Sequence, residues 1–431
     1  MVTPNDRQAT PHGLMSGKRI LVGIGGGIAV YRVAELVRLL MKQGAEVRCV
    51  MTRSASEFVT PLTFEALTGE EVHTELFDLT KRGDNSAGKP NWTDEGRRNA
   101  ERGKDAEHQM GHIQLARWAD AIVIAPATAN LLTKLAYGIA DDLLTTTMQV
   151  AEAPLLIAPA MNHSMWTSSA TQENVKTLRS RGIQFSGPES GELACGEEGV
   201  GRLSEPETII DRLLPLLNEQ LLAGQRWVIN AGPTWESWDA VRILSNRAIG
   251  TLGSCLAKTA SAYGAEVTLV AGPGTPKSPD SVRRINVESA NEMMTACEAS
   301  AKGSDLFIAS AAVSDFRFSK LITEKLKRGD IEQLQIELTA NPDIVAFVSA
   351  MAERPRHVVA FAAESSDHIE HARKKLEHKN VDAIFANDVS NMGRNNGGGW
   401  WITPDQNEQI ETLPKEKLAE KIIGKIMELQ K

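Results

Sequence analysis

Several features that would identify a class directly are missing from this chain of 431 residues. It has no apolar run approaching about 18 residues, so no membrane span is predicted. Its first 17 residues lack the apolar segment of a secretory signal. The net charge is -8, whereas binding to nucleic acid or to an acidic membrane surface needs clustered Lys and Arg. We therefore expect a cytoplasmic protein that binds neither nucleic acid nor a membrane.

Cysteine is also scarce, with four residues and no Cys-x-x-Cys spacing. This pattern argues against a zinc site and against a disulfide framework. Cys49, Cys255 and Cys297 stand in apolar or helical sequence and are expected in the core. Cys195 instead lies in a polar stretch with four glycines, at 191–202. We interpret it as a reactive thiol on a lid, with chance placement of a cysteine as the alternative.

The sequence contains two similar β-α-β patterns. The first consists of a strand at 19–23, a glycine turn at 25–27, an amphipathic helix at 28–42 and a strand at 46–51. The same order returns from residue 226 onward. The repeat predicts an α/β protein with two doubly wound domains.

The boundary between these domains is placed near residues 224–225. We therefore predict one domain at 18–224 and a second at 225–431, preceded by a disordered lead-in at 1–17. Residues 81–108 are rich in charge, Gly and Asn and lack apolar periodicity, so they are expected to form a mobile surface loop.

Small residues and an amide follow two neighbouring strands of the first domain. These turns are Ala125-Pro126-Ala127-Thr128-Ala129-Asn130 and Ala158-Pro159-Ala160-Met161-Asn162. Since the carboxyl ends of parallel strands open on the ligand crevice, both turns are expected to border a pocket where a flat ring can approach the backbone. The alternative is a pair of ordinary strand-to-helix turns with Asn as the helix N-cap.

The glycine turn at 25–27 suggests a phosphate cradle, because backbone N–H groups and the N-terminus of the next helix can face an anion. The dinucleotide fingerprint is incomplete, since Ile28 stands where its third glycine is expected. The next strand ends in Thr52-Arg53-Ser54 rather than in an acidic residue for a ribose. A mononucleotide with one phosphate therefore fits better than NAD. His112 is expected near the crevice, as a catalytic group or as a capping or packing residue.

Charged residues accumulate at strand ends and on one helix of the second domain. Asp315 follows a predicted strand, and Lys375 and Lys379 lie four residues apart on one helix face. Their like charges repel unless an anion joins them, and a triphosphate would do so. Solvated surface lysines are the alternative interpretation.

Together these motifs resemble the phosphopantothenoylcysteine decarboxylase/phosphopantothenate–cysteine ligase family of coenzyme A biosynthesis. The resemblance rests on the glycine turn, on Met51-Thr52-Arg53-Ser54-Ala55, on His112 within His-Ile-x-Leu-Ala-Arg-Trp-Ala-Asp, on both strand-end turns and on the Cys195 loop. It implies a flavodoxin-like domain that binds FMN, followed by a Rossmann-like ligase domain. The implied FMN-binding residues are Gly26, Gly27, Thr52, Ser54, Ala127, Thr128 and Ala129.

For the first domain, the resemblance implies decarboxylation of an acyl-cysteine. Direct loss of CO2 would leave a carbanion without an electron sink, so flavin first oxidises the thiol to a thioaldehyde. Loss of CO2 then gives an enethiolate, which is protonated and reduced. The implied roles are thiol oxidation for His112, carboxylate binding for Asn162, substrate orientation for Asn130, substrate binding for Met161 and proton supply for Cys195.

For the second domain, the resemblance implies that CTP and Mg2+ are used to join L-cysteine to 4'-phosphopantothenate. Attack of the carboxylate on the α-phosphorus gives an acyl-cytidylate, and the cysteine amine then displaces CMP. The implied CTP-binding residues are Ala309, Ser310, Ala311, Asp315, Lys325, Asn341, Pro342, Asp343, Ile344, Phe361, Lys375 and Lys379. Asn246 and Arg242 are assigned to the acyl intermediate.

The second domain departs from the family pattern in two places. Ser245-Asn246-Arg247-Ala248-Ile249-Gly250 stands where the family usually has Ser-Asn-x-Ser-Ser-Gly, and 392–399 lacks the usual aromatic and acidic residues. We expect a bifunctional enzyme that makes 4'-phosphopantetheine and, by resemblance, a homo-oligomer of twelve chains. The alternatives are a decarboxylase with a ligase-deficient second domain and a non-catalytic FMN-binding regulator.

Overall fold

The computed structural model describes residues 13–76, 111–194, 196–327, 333–364, 368–388 and 393–431. Within them the chain forms two compact units, Leu14–Leu217 and Asn218–Lys431. Each unit has its own sheet and its own buried core. The loop predicted at 81–108 and residues 1–12 of the predicted lead-in lie outside the described residues.

Short apolar strands form a five-stranded parallel sheet in the first unit, in the order β2-β1-β3-β4-β5. The strands described in this unit are β1 (Arg19–Ile24), β2 (Glu46–Met51), β3 (Ala121–Ala127), β4 (Leu155–Pro159), β5 (Gln184–Phe185), β6 (Glu189–Glu192) and β7 (Glu198–Arg202). The helices are α1 (Val30–Lys42), α2 (Arg53–Ser56), α3 (Pro61–Thr68), α4 (Gly111–Trp118), α5 (Ala129–Tyr137), α6 (Leu143–Gln149), α7 (His163–Thr167), α8 (Ser169–Ser180) and α9 (Pro206–Leu217). Strands β6 and β7 pair separately as an antiparallel hairpin.

The apolar pattern of the sequence explains this layered arrangement. Every residue of β3 is buried, as expected for a central parallel strand that helices cover on both faces. Helix α1 buries Val30, Val33, Leu36, Val37 and Leu40, which recur every three or four residues and form one apolar face. The carboxyl ends of all five parallel strands lie at one edge of the sheet.

An eight-stranded sheet forms the second unit, in the order β12-β11-β8-β13-β16-β17-β18-β19. The strands described here are β8 (Arg226–Ala231), β9 (Trp235–Ser237), β10 (Ile243–Ser245), β11 (Glu266–Ala271), β12 (Arg283–Asn286), β13 (Leu306–Ala309), β14 (Phe316–Phe318), β15 (Leu338–Ala340), β16 (His357–Glu364), β17 (Ala383–Asp388), β18 (Asn396–Ile402) and β19 (Asn407–Pro414). The helices are α10 (Thr251–Ala262), α11 (Ala290–Ala301), α12 (Ile344–Ser349), α13 (His368–Lys379) and α14 (Lys415–Leu429). Among the described strands of this sheet, the antiparallel pairs are β17–β18 and β18–β19, and the other neighbouring strands are parallel.

Helices cover both faces of this second sheet. Trp227 and Ile229 of β8 pack in one core cluster with Leu256 of α10 and Leu418 of α14. Val228, which lies between them in sequence, packs in a second cluster with α11, α12 and α13. Since successive side chains of a strand point to opposite faces, α10 and α14 lie on one face and α11 to α13 on the other.

The predicted α/β class and the two doubly wound domains are confirmed. The sequence analysis does not predict the antiparallel strands β18 and β19, which extend the second sheet. In the described parts of the chain, no helix is both long enough and apolar enough to cross a membrane.

Candidate active sites

The glycine turn after β1 lies between the ends of two other strands. The N–H of Gly25 donates to the carbonyl oxygen of Pro126 at 3.2 Å, and a Cβ at Gly25 would overlap that oxygen. A Cβ at Gly26 would overlap the side chain of Ser54. Glycine is therefore required here, because it lets the ends of β1, β2 and β3 approach one another closely.

Threonine caps the helix that follows the first small-residue turn. The Thr128 hydroxyl accepts a hydrogen bond from the N–H of Leu131 at 3.3 Å, at the start of α5. Asn130 lies inside this helix and is exposed. The interpretation that Asn130 caps the helix is therefore wrong for this turn.

The Asn162 side chain caps the helix that follows the second turn, in agreement with the capping interpretation. Oδ1 of Asn162 accepts a hydrogen bond from the N–H of Ser164 at 2.8 Å, at the start of α7. Its Nδ2 donates to Oε2 of Glu197 at 2.8 Å. The Asn162 amide therefore already contacts one carboxylate, which the β6–β7 hairpin supplies.

The stretch 191–202, interpreted from sequence as a flexible lid loop, largely belongs to the β6–β7 hairpin. Strand β7 docks on the second turn: the N–H of Met161 donates to the Gly201 oxygen at 2.9 Å, and the N–H of Val200 donates to Nδ1 of His163 at 3.1 Å. A Cβ at Gly201 would overlap the carbonyl oxygen of Met161, so glycine permits this contact. The hairpin is therefore fastened to the turn that carries Asn162.

A cavity of about 750 Å³ lies between the glycine turn, the two strand-end turns and the hairpin. This volume is within the range of about 300–1,000 Å³ that is usual for small-molecule sites. Gly26, Gly27 and Ala160 line it without bulky side chains, which leaves room for a flat ring and for a phosphate at the glycine turn. The residues present therefore fit a flavin mononucleotide.

The structure brings some of the predicted residues of the first domain to this cavity. Those that line it are Gly26, Gly27, Thr128, Met161 and Asn162. Those that do not line it, among the residues described, are Thr52, Ser54, His112, Ala127, Ala129 and Asn130. Cys195 lies outside the described residues, and its neighbour Ala194 lines the cavity.

Arg32, to which the sequence analysis assigned no site role, is a cation in the wall of this cavity. Its Nη1 donates to the carbonyl oxygen of Leu203 at 3.3 Å, and its guanidinium pairs with Glu205. Arg202, which also lines the cavity, pairs with the same carboxylate. Two cations share one anion here, so this wall can attract a negatively charged group. The available signal was the position of Arg32, one helical turn beyond the glycine turn.

The second unit has a cavity of about 590 Å³ at the carboxyl ends of β8, β13, β16 and β17. The predicted CTP-binding residues that line it are Ala309, Ser310, Ala311, Asp315, Asn341, Pro342, Asp343, Ile344, Phe361, Lys375 and Lys379. Asn246 lines the same cavity. In the lining that the described residues form, Arg242 and Lys325 are absent.

The predicted lysine pair lies on α13, and one of its members contacts an acidic residue. Nζ of Lys379 lies 3.1 Å from Oδ2 of Asp343. Oδ1 of Asp343 accepts a hydrogen bond from the N–H of Ala346 at 3.1 Å and so caps α12. Asp343 therefore links the lysine-bearing helix to the cavity wall, with Lys375 beside it in the lining.

Two asparagines hold the segment that follows β13. Oδ1 of Asn230 accepts a hydrogen bond from the N–H of Ala311 at 2.9 Å. Nδ2 of Asn246 donates to the carbonyl oxygen of Ala312 at 2.7 Å. The sequence analysis missed Asn230, although a polar residue near the end of an apolar strand was an available signal. Asn230 is buried, and its hydrogen bond with Ala311 fixes the backbone at the cavity floor.

Arg242 is held by Asp239 outside the cavity lining. The buried Asp239 accepts hydrogen bonds from the N–H groups of Val241 and Arg242, both at 2.8 Å, and of Leu326 at 3.1 Å. Burial acts to raise the pKa of Asp239, but these N–H groups and the Arg242 guanidinium hold that pKa below its ordinary value. The segment that carries Lys325 is thus joined to the Arg242 loop.

The described residues contain no group of three or more His, Cys, Asp or Glu side chains placed to hold a metal ion. Cys49 and Cys297 are buried, as predicted, and Cys255 is partly buried. Burial raises the pKa of each of these three thiols to about 12, so they are unreactive at neutral pH.

The fold and the cavities define a two-domain α/β protein with a separate ligand site at the carboxyl edge of each sheet. The Flavoprotein family matches residues 8–218, and the DNA/pantothenate metabolism flavoprotein C-terminal domain matches residues 222–429. A coenzyme A biosynthesis bifunctional protein CoaBC from Vibrio parahaemolyticus is 41% identical over 96% of this chain and 99% of its own length. The chain belongs to the family of coenzyme A biosynthesis bifunctional proteins.

The relative from Escherichia coli agrees with this assignment, and one solved structure is similar to part of the chain. The CoaBC protein of Escherichia coli K12 is 41% identical over 87% of both chains. A solved structure of the C-terminal domain of a CoaBC protein is 31% identical, has a TM-score of 0.43, and covers 49% of this chain and 98% of its own. The predicted family and the predicted bifunctional enzyme of coenzyme A biosynthesis, with a decarboxylase half and a ligase half, are confirmed. The match to flavoproteins confirms that the expected cofactor is a flavin.

Proposed function

We propose that this chain converts 4'-phosphopantothenate to 4'-phosphopantetheine in two steps. L-cysteine is first ligated within residues 225–431 with CTP, and the product is then decarboxylated within residues 18–224 with FMN. The observation that carries this proposal is that eleven predicted CTP-binding residues and Asn246 line one cavity of the second unit, while Gly26, Gly27, Thr128, Met161 and Asn162 line a cavity of the first. Family membership supports the same pair of activities, and the resemblance supports a cytoplasmic homo-oligomer of twelve chains.

In the first unit, FMN would accept two electrons from the substrate thiol and return them as a hydride after CO2 has left, so that the overall reaction has no net redox change. The backbone at Gly26 and Gly27 and the hydroxyl of Thr128 border the cavity where its phosphate and ring would be held. Asn162 would bind the substrate carboxylate through Nδ2. The contact between this atom and the carboxylate of Glu197 supports that role, because it shows the same donor facing the same chemical group.

Two proton transfers complete the proposed decarboxylation. His112 would take the proton of the substrate thiol, and Cys195 would donate a proton to the enethiolate that remains after CO2 leaves. Met161 lines the cavity beside Asn162, which supports its role in substrate binding. The roles of His112, Cys195 and Asn130, and FMN contacts for Thr52, Ser54, Ala127 and Ala129, rest on the resemblance.

In the second unit, Lys375 and Lys379 would face the phosphates of CTP and offset their charge as the acyl-cytidylate forms. Asn246 would bind the acyl intermediate before the cysteine amine displaces CMP. Mg2+ would arrive with the triphosphate, because this ion is commonly held by one or two carboxylates together with substrate phosphates. Asp315 and Asp343 line the cavity and could provide such carboxylates. The roles of Arg242 and Lys325 rest on the resemblance.

The proposal is tested by incubating the full chain, loaded with FMN, with 4'-phosphopantothenate, MgCTP and radiolabelled cysteine. We expect CTP-dependent incorporation of label into an acyl-cysteine, followed by release of CO2 from its cysteine carboxyl group. Release of CO2 from a supplied acyl-cysteine without any incorporation of label would identify the ligase-deficient alternative. Failure of both reactions in a protein that retains flavin would overturn the proposal and favour the regulatory alternative.

A further inference from the structure

The carboxylate of Glu197 occupies the side-chain amide of Asn162, the group proposed above to bind the carboxylate of the acyl-cysteine. Nδ2 of Asn162 donates to Oε2 of Glu197 at 2.8 Å. Oδ1 of the same amide accepts a hydrogen bond from the N–H of Ser164 at 2.8 Å, at the start of α7. Because this donor fixes the amide oxygen, the amide must present its nitrogen to Glu197. Helix α7 therefore sets the orientation of the Asn162 donor.

Two carboxylates cannot share this nitrogen favourably. Its NH2 group has two hydrogens, but two carboxylates within hydrogen-bond distance of one nitrogen lie close together and repel each other. Glu192 and Glu198 add further negative charge to the same hairpin. A substrate carboxylate at Asn162 must therefore displace the carboxylate of Glu197. The charge beside the amide is then the same before and after the exchange.

This exchange requires rotation of the Glu197 side chain but no movement of the hairpin strands. Glu197 is exposed, so its carboxylate can turn into solvent. Its backbone is held, because its carbonyl oxygen accepts a hydrogen bond from the N–H of Leu193 at 2.8 Å. Strand β7 is fastened separately, through the hydrogen bonds of Val200 and Gly201 with α7 and the second turn. The wall of the cavity can therefore stay in place while the carboxylates exchange.

Glu197 thus has the chemistry and the position of a stand-in for the substrate carboxylate. We propose that Glu197 is an internal competitor for the Asn162 amide and lowers the affinity of the first cavity for the acyl-cysteine. The contact is autoinhibitory, since it occupies the amide until a substrate carboxylate replaces it. Glu197 returns after CO2 has left, so that Nδ2 regains an acceptor. This inference rests on the decarboxylation proposed above and names the residue that sets its substrate affinity.

Two unreactive amides of 4'-phosphopantothenate test this role in the full chain loaded with FMN. The amide with L-alanine keeps the carboxylate of the substrate but lacks its thiol, whereas the amide with ethylamine lacks both groups. Glu197→Ala should bind the alanine amide about two- to fivefold more tightly than the parent chain does, because the competing contact is exposed and therefore modest. Its affinity for the ethylamine amide should be unchanged, since that ligand does not displace Glu197. Titration calorimetry measures both affinities.

Two further variants separate competition from a general effect of charge. Glu198→Gln removes a neighbouring exposed carboxylate from the same hairpin and should leave both affinities unchanged. Glu197→Gln keeps an oxygen that can accept from Asn162 but removes the charge that strengthens the contact. Its affinity for the alanine amide should therefore lie between those of the parent chain and Glu197→Ala.

Unchanged or weaker binding of the alanine amide by Glu197→Ala would overturn the proposal. An equal gain in affinity for the ethylamine amide would also overturn it, because the gain would not depend on a carboxylate. Release of CO2 from the acyl-cysteine reports separately on the decarboxylation. A parent chain that released no CO2 would contradict the proposed function, while binding of the two amides would still decide the role of Glu197.

Discussion

Asp239 joins two segments that are far apart in sequence, and replacing it with Asn tests what its charge contributes. Because its pKa is lowered in the folded chain, the carboxylate stabilises the fold above the unfolded pKa of about 3.9. That contribution is lost as the pH falls through the folded pKa. We therefore expect Asp239→Asn to lower the urea midpoint at pH 7, and the difference from the parent chain to shrink below about pH 4.

The same substitution has an outcome that would contradict this explanation. Asn keeps one oxygen that can accept hydrogen bonds from the N–H groups of Val241 and Arg242, but its amide nitrogen cannot accept a hydrogen bond from the N–H of Leu326. If the difference in urea midpoint stayed constant between pH 7 and low pH, shape and hydrogen-bond geometry would account for the effect and the charge would not.

Individual roles were predictable from sequence where local spacing determines them. The position of Asn162 at a strand end left two interpretations open, a helix cap and a polar group at the pocket, and in the structure Asn162 both caps α7 and lines the cavity. The choice of Thr128 over Asn130 as a cap was not predictable, because both residue types cap helices and only the extended backbone at Thr128 decides between them. The burial of Lys415, at the start of α14, was not predictable, because it depends on tertiary packing and the surrounding sequence resembles that of any polar helix start.

At the level of elements, the contribution of the β6–β7 hairpin to decarboxylation can be tested at its close contact with the second turn. Gly201→Ala would place a methyl group against the carbonyl oxygen of Met161. We expect this change to displace β7 and to slow CO2 release from the acyl-cysteine by about 10- to 100-fold, because small displacements of groups that position a substrate are costly. CTP-dependent ligation should be unchanged. Single-turnover CO2 release and cysteine incorporation measure the two activities.

Gly424→Ala provides a matched control for this substitution. A Cβ at Gly424, within α14, would meet no atom within 4 Å. Alanine should raise the thermal midpoint slightly, since it is favoured over glycine in a helix interior by roughly 0.8–1.0 kcal/mol. It should leave decarboxylation unchanged. Normal CO2 release by Gly201→Ala would show that docking of the hairpin is unnecessary for the reaction.

Elements with a clear apolar period were predictable, and those without one were not. The β-α-β openings of both domains show apolar strands and amphipathic helices, and both are present in the structure. The hairpin strands β6 and β7 have glycines and charged residues in place of an alternating apolar pattern. Strand β18 begins with Asn-Gly-Gly-Gly, which favours a loop in any local interpretation. Pairing with β17 and β19 determines its conformation, and that pairing is not visible in the local sequence.

For the whole molecule, two units with separate cores predict separate responses to their ligands. Each sheet is buried by its own helices, so unfolding of the full chain should not follow a single two-state transition. A ligand stabilises the folded form that binds it, by about 2.7 kcal/mol at a concentration 100 times its Kd. In calorimetry, FMN should therefore raise one transition and MgCTP the other.

Lys379→Ala assigns these two transitions to their units. Removing a lysine that lines the second cavity should weaken or abolish the shift caused by MgCTP and leave the shift caused by FMN intact. If both ligands raised a single common transition in the parent chain, the two units would unfold as one cooperative body. Binding at one cavity would then stabilise the other, and the two activities would be energetically coupled despite their separate cores.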